Sequence, residues 1–94
     1  MTKREEIKQI SKTKRLNQIL IKKTILDIQK LAGLTNIVMS DNIGEPTEKY
    51  TSIKNNKKLF FKPEHLENLR NNLNVSNKAI DEKFVEYCNS IEVV

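Results

Sequence analysis

Few residues in this 94-residue chain can do chemistry, and their spacing narrows what that chemistry is. One histidine, His65, and one cysteine, Cys88, lie far apart in sequence. A structural zinc site takes about four such ligands, so no metal and no resident cofactor are expected. Cys88 has no histidine or basic cluster beside it and reads as a small apolar residue rather than a nucleophile. His65, at the start of a helix, reads as a surface residue. Gly33 and Gly44 are the only glycines, too few for a phosphate-cradling loop. The acidic pairs Glu5-Glu6 and Asp81-Glu82 fit the preference for carboxylates in first helical turns. The chain is therefore expected not to be an enzyme.

What remains is cationic. There are 17 basic and 12 acidic residues, a net charge of +5. Residues 1–31 hold nine basic and three acidic groups, and residues 64–94 hold three and six. A polyanion would thus meet the first two thirds of the chain. Within Lys58-Leu59-Phe60-Phe61-Lys62, neighbouring strand residues would point to opposite faces. With Leu59 and Phe61 turned inward, Phe60 faces out among lysines, where it could stack on a single-stranded base for about 1–3 kcal/mol. The blander alternative packs Phe60 beneath the N-terminal arm or a dimer partner, and Tyr50 poses the same choice more weakly.

These residues must be positioned by one small domain, spanning residues 1–94. With 37% apolar residues the core is marginal for this length, which makes a homodimer the expected state. No apolar run exceeds three residues, which excludes a membrane-spanning helix or a secretory signal, and the expected location is cytoplasmic. Residues 3–32 contain neither Gly nor Pro, and their apolar periodicity leaves open one helix or two, with Thr24 able to cap a second. Gly33 is suited to ending that stretch with positive φ. Thr35 or Asn36 could cap a short helix from about 36 to 43, stopped by Gly44-Glu45-Pro46. Glu48 to Ile53 and Lys58 to Lys62 favour strands around an Asn-rich turn, giving a β-hairpin over residues 48–62. Pro63 opens a further helix, and Ser76 can cap the last one. The expected class is mainly α with one small hairpin.

The run from Asp27 to Ile43 resembles the helix-turn-helix of DNA-binding proteins, with Ile28, Ala32, Leu34 and Met39 at the matching offsets around Gly33. Gln29 stands where that pattern has a small residue, and Asn42 where it has an apolar one. Tyr50 to Lys62, followed by Pro63 to Leu69, is similar to the wing and following helix of excisionase-type regulators. The resemblance implies a winged helix-turn-helix domain: a basic arm over 1–23, a helix-turn-helix over 24–43, a wing over 48–62, and C-terminal helices over 63–94 available for dimerisation.

It further implies a regulator of transcription, or an accessory factor for recombination, replication or segregation, that binds double-stranded DNA. Asn36, Ser40 and Asn42 would contact bases, and Thr35, Lys54, Lys57 and Lys58 the backbone, with Lys49 and Lys62 as additions. Residues 69–80 have similar spacing around Asn74, but Asp81, Glu82 and Glu86 would oppose phosphate there. Two rival readings stand beside this one. The first is an adaptor or inhibitor that binds a protein partner; the second is a single-strand binder using Phe60 and Tyr50.

Overall fold

Thirty consecutive residues without a helix breaker form one continuous helix, α1 (Lys3–Ala32). In the computed structural model, residues 3–74 and 77–90 are described, with side chains for 17–74 and 77–89. At 1.5 Å per residue α1 is about 45 Å long, which matches the 46 Å long dimension of the molecule. Thr24 does not start a second helix. Its hydroxyl donates to the Leu20 carbonyl at 2.8 Å, a back-bond that lets a buried threonine stay inside a helix.

At the end of α1 the backbone turns through Gly33 at φ +63°. The Leu34 N–H donates to Gln29 O and the Gly33 N–H to Lys30 O, which occupies carbonyls the helix would otherwise leave bare. Thr35 then caps α2 (Asn36–Ile43), its Oγ1 accepting the Val38 N–H at 3.3 Å. Gly44, at φ +80°, closes α2 by the same pair of bonds, from Glu45 to Ser40 and from Gly44 to Asp41. Local capping chemistry fixes both ends of this helix.

The next segment departs from the sequence expectation. Residues assigned to the first strand of a hairpin form α3 (Thr47–Asn55), and residues 56–62 form an irregular connection. No strand occurs among the described residues, so the wing is absent and the domain is all-helical, with five helices described. The winged helix-turn-helix assignment is overturned. The physical reason lies in which residues are buried. Tyr50 and Ile53, three apart, both face the core, a helical spacing that two-residue alternation cannot satisfy. The β preference of Tyr, Thr and Ile amounts to about 1 kcal/mol across its whole scale, less than burying two such side chains gains. Pro46 does not merely stop α2; its extended backbone is the N-cap of α3.

Pro63 opens α4 (Pro63–Asn72) as expected, and α5 (Lys78–Ser90) follows. Ser76, expected to cap α5, lies outside the described residues. Asn77 Oδ1 accepts the Ile80 N–H at 2.9 Å and serves as that cap. The core joins all five helices: Ile21, Ile25 and Ile28 of α1 meet Met39 and Ile43 of α2, Tyr50 and Ile53 of α3, Leu66 and Leu69 of α4, and Ile80 of α5. Phe61, from the connection, completes it.

Candidate nucleic-acid interface

The short helix α2 carries the residues expected to read bases, and the fold uses most of them internally. Asn36 Oδ1 accepts from Gln29 Nε2 at 2.8 Å and from Lys54 Nζ at 3.1 Å, while its Nδ2 donates to Thr51 Oγ1 at 3.4 Å. An amide held this way has no free edge with which to pair an adenine. Ser40 is fully buried, its hydroxyl donating to Ile37 O at 2.7 Å and lying 3.0 Å from Thr47 Oγ1. Asn42 is partly exposed. Thr35, exposed, spends its oxygen on the helix cap. What α2 turns outward is Ile37 and Val38, 62% and 41% exposed, together with Asp41. Two aliphatic groups and a carboxylate make a poor match for a polyanion.

Gln29 explains why α2 is turned this way. Its Oε1 accepts the Tyr50 hydroxyl at 2.6 Å, and its Nε2 also donates to Leu34 O at 3.1 Å. One buried amide therefore ties α1, the Gly33 turn, α2 and α3 together. Every buried side-chain nitrogen and oxygen among the described residues has a partner, so the network costs no unsatisfied group. Burial pushes the Tyr50 phenol well above its ordinary value of 10.0. With no exposed surface, Tyr50 cannot stack on a base as the sequence reading allowed.

The lysines gather elsewhere, on the connection after α3 and the stretch of α1 beneath it. Lys22 Nζ donates to Asn56 O at 2.8 Å and Leu59 O at 2.9 Å, and lies 5.5 Å from the Phe60 ring centroid. Partial burial draws its pKa below the usual lysine value. Asn56 tightens the turn by accepting the Lys58 N–H on its side-chain oxygen at 2.9 Å. Phe61 points into the core, Leu59 is 41% exposed and Phe60 is half-buried under Lys22. The expected inward Leu59 and outward Phe60 are thus exchanged.

Lys23, Lys57, Lys58 and Lys62 are all exposed and make no salt bridge among the described residues. Residues 49–62 contain five lysines and no carboxylate. Lys49 is set apart from this group because Glu45 pairs with it at 3.3 Å. Lys54 is partly buried and faces Asn36.

Sequence reasoning also misplaced His65, which is 3% exposed. Its Nδ1 accepts the Lys62 N–H at 3.0 Å, so the proton sits on Nε2, which donates to Glu45 Oε1 at 2.9 Å. That contact, ahead of the Lys49 ammonium, holds the Glu45 carboxyl below its ordinary range. Pro63 at the first helical position, with a residue three past the cap bonding back to it, is the local signal for a histidine turned inward. Cys88 is exposed on α5. No described helix is long and apolar enough to cross a membrane. Comparison of the chain with known protein families, curated proteins and solved structures found no match.

Proposed function

We propose that this chain is a non-catalytic nucleic-acid-binding protein that grips the phosphate backbone through Lys23, Lys57, Lys58 and Lys62. The observation that carries the reading is that Lys57, Lys58 and Lys62, exposed and without a salt bridge among the described residues, lie on a connection latched by Lys22 to α1, where the next residue is the equally exposed Lys23. Phosphate contact asks only for flexible cations, which lysine supplies, whereas base reading asks for groups at fixed geometry. Asn36 and Ser40 are committed to internal bonds, so the binding is expected to be weakly sequence-dependent. Duplex DNA is the favoured partner, because Phe60 is half-buried with the Lys22 ammonium 5.5 Å from its ring centroid, which leaves it less open to a base than a free aromatic.

Titration of fluorescent duplex and single-stranded oligonucleotides of random sequence tests this at two salt concentrations. Affinity should fall steeply with salt, because each neutralised phosphate releases condensed counterions. Lys57→Glu with Lys58→Glu, both at exposed positions, should weaken binding to every duplex and flatten the salt dependence. Unchanged affinity in that double variant refutes the reading. Binding by the wild type to anionic vesicles in preference to DNA refutes it equally.

A further inference from the structure

The connection between α3 and α4 is held at two points. Near its start, Lys22 Nζ bonds the carbonyls of Asn56 and Leu59. At its end, where the chain enters α4, the Lys62 N–H donates to His65 Nδ1 at 3.0 Å. The His65 ring is buried and stands at right angles to the Phe61 ring, their centroids 6.0 Å apart. Its other nitrogen, Nε2, donates to Glu45 Oε1 at 2.9 Å. Among the described residues Glu45 is the one charged group that pairs with the ring. From α3, Lys49 is paired with Glu45, and the Tyr50 phenol is turned to Gln29. Lys62 and Glu64, the charged neighbours on the chain, are exposed. On the other elements that pack on α4, Asp41 of α2 is exposed, Lys22 of α1 is engaged at the far end of the connection, and Tyr87 of α5 lies beside Pro63 and Leu66.

Nδ1 accepts the Lys62 N–H only while it carries no proton of its own. Once it takes one from water the ring is an imidazolium, a donor at both nitrogens, and the Lys62 N–H is left facing another N–H. We infer that His65 is a pH-sensitive clamp: its protonation releases the Lys62 N–H to water and loosens the entry to α4, while the Lys22 end of the connection stays closed. The Glu45 carboxylate already stands beside Nε2 as a counter-charge, so the ring can charge without leaving its site. Glu45 is itself held below its ordinary range, so it remains a carboxylate throughout the interval in which histidines titrate. His65 is the only histidine of the chain, and no other side-chain type ordinarily changes charge between about pH 5 and 8. A side-chain transition in that interval therefore reports this ring.

Heteronuclear NMR of the full chain, followed from about pH 8 down to about pH 5, tests this. Above the transition the ring nitrogen shifts should report the tautomer with its proton on Nε2. Through the transition the Lys62 amide shift should titrate with the same midpoint as the ring. Its protection factor against hydrogen exchange should fall about two- to tenfold, the worth of one net hydrogen bond. The Lys58 and Leu59 amides, both bonded to Asn56, should keep their protection. Glu45→Gln takes away the counter-charge and should move the ring and Lys62 transitions to lower pH together. A Lys62 amide that stays constant while the ring titrates overturns the inference. So does a ring that takes no proton before the whole chain unfolds, or a loss of protection spread evenly over residues 56–62. Lys62 also belongs to the proposed phosphate-binding group, but none of these readouts involves nucleic acid, so this inference and the proposed function stand or fall separately.

Discussion

Replacing Tyr50 by Phe removes one oxygen from the centre of the domain. Tyr50 has no exposed surface and Gln29 is 7% exposed, so water cannot take the place of the lost hydroxyl. Gln29 Oε1 would be left without the donor that now sits 2.6 Å away. A buried acceptor deprived of its partner costs about 1–3 kcal/mol. In a domain of this length each kcal/mol moves the melting temperature by roughly 4–8 °C, so the variant should melt well below the wild type. A second signature appears at alkaline pH. Burial raises the folded-state phenol above 10.0, so the unfolded chain gives up its proton first. The stability contributed by this group is complete below pH 10 and is lost as pH rises towards the folded value, at up to about 1.4 kcal/mol per unit for one proton. Tyr50→Phe should remove that component of the alkaline decline. Chemical denaturation followed by circular dichroism from neutral pH to above 10 measures both effects. A variant within a few tenths of a kcal/mol of the wild type at neutral pH, with an unaltered alkaline slope, would show that the Gln29–Tyr50 bond does not hold the helices together.

Three further substitutions probe separate parts of the structure. Asn36→Ala should destabilise the fold by about 1–2 kcal/mol, because Gln29 Nε2 loses an acceptor, while duplex affinity stays the same; a selective loss of binding to particular sequences would restore the base-reading role. Glu45→Gln should flatten the acid limb of the stability profile. The folded Glu45 carboxyl lies below its ordinary value of 4.5, so its contribution is present above that pH and fades as pH falls through the folded value; an unchanged limb in urea titrations would rule this out. Lys22→Met keeps the aliphatic packing but removes the donor shared by Asn56 and Leu59, so amide hydrogen exchange over residues 56–60 should speed up. Unaltered exchange there would mean that the latch is dispensable.

Helix α2 was readable because its boundaries are written locally: Thr35 can cap, and Gly33 and Gly44 can take positive φ. The segment from Lys49 to Lys62 was not. Tyr, Thr and Ile carry a β preference, and Asn55-Asn56 looks like a hairpin turn, whereas the decisive fact is that Tyr50 and Ile53 share one buried face. The candidate site divides along the same line. Exposed lysines at 57, 58 and 62 follow from a run without carboxylates. The fate of Asn36 depends on Gln29 of α1 and on Thr51 and Lys54 of α3, partners on two other helices that no local pattern brings together. Gln29 itself looked like a departure from a motif, although a large amide at that spot is what the internal network requires. His65 bonds to Glu45 across twenty positions of chain, which is equally invisible to periodicity.

The inward face of α2 includes polar groups at 36 and 40, while two aliphatic side chains, at 37 and 38, stand in water. Beside the buried Met39 and Ile43, this mixes polar groups into the inner face of a small helix and moves the sites of evolutionary freedom with it. Ile37 and Val38 could drift to lysine or glutamine with little loss of cohesion and some relief from stickiness, whereas a bland exchange at Ser40, such as to valine, would sever bonds that hold the corner closed.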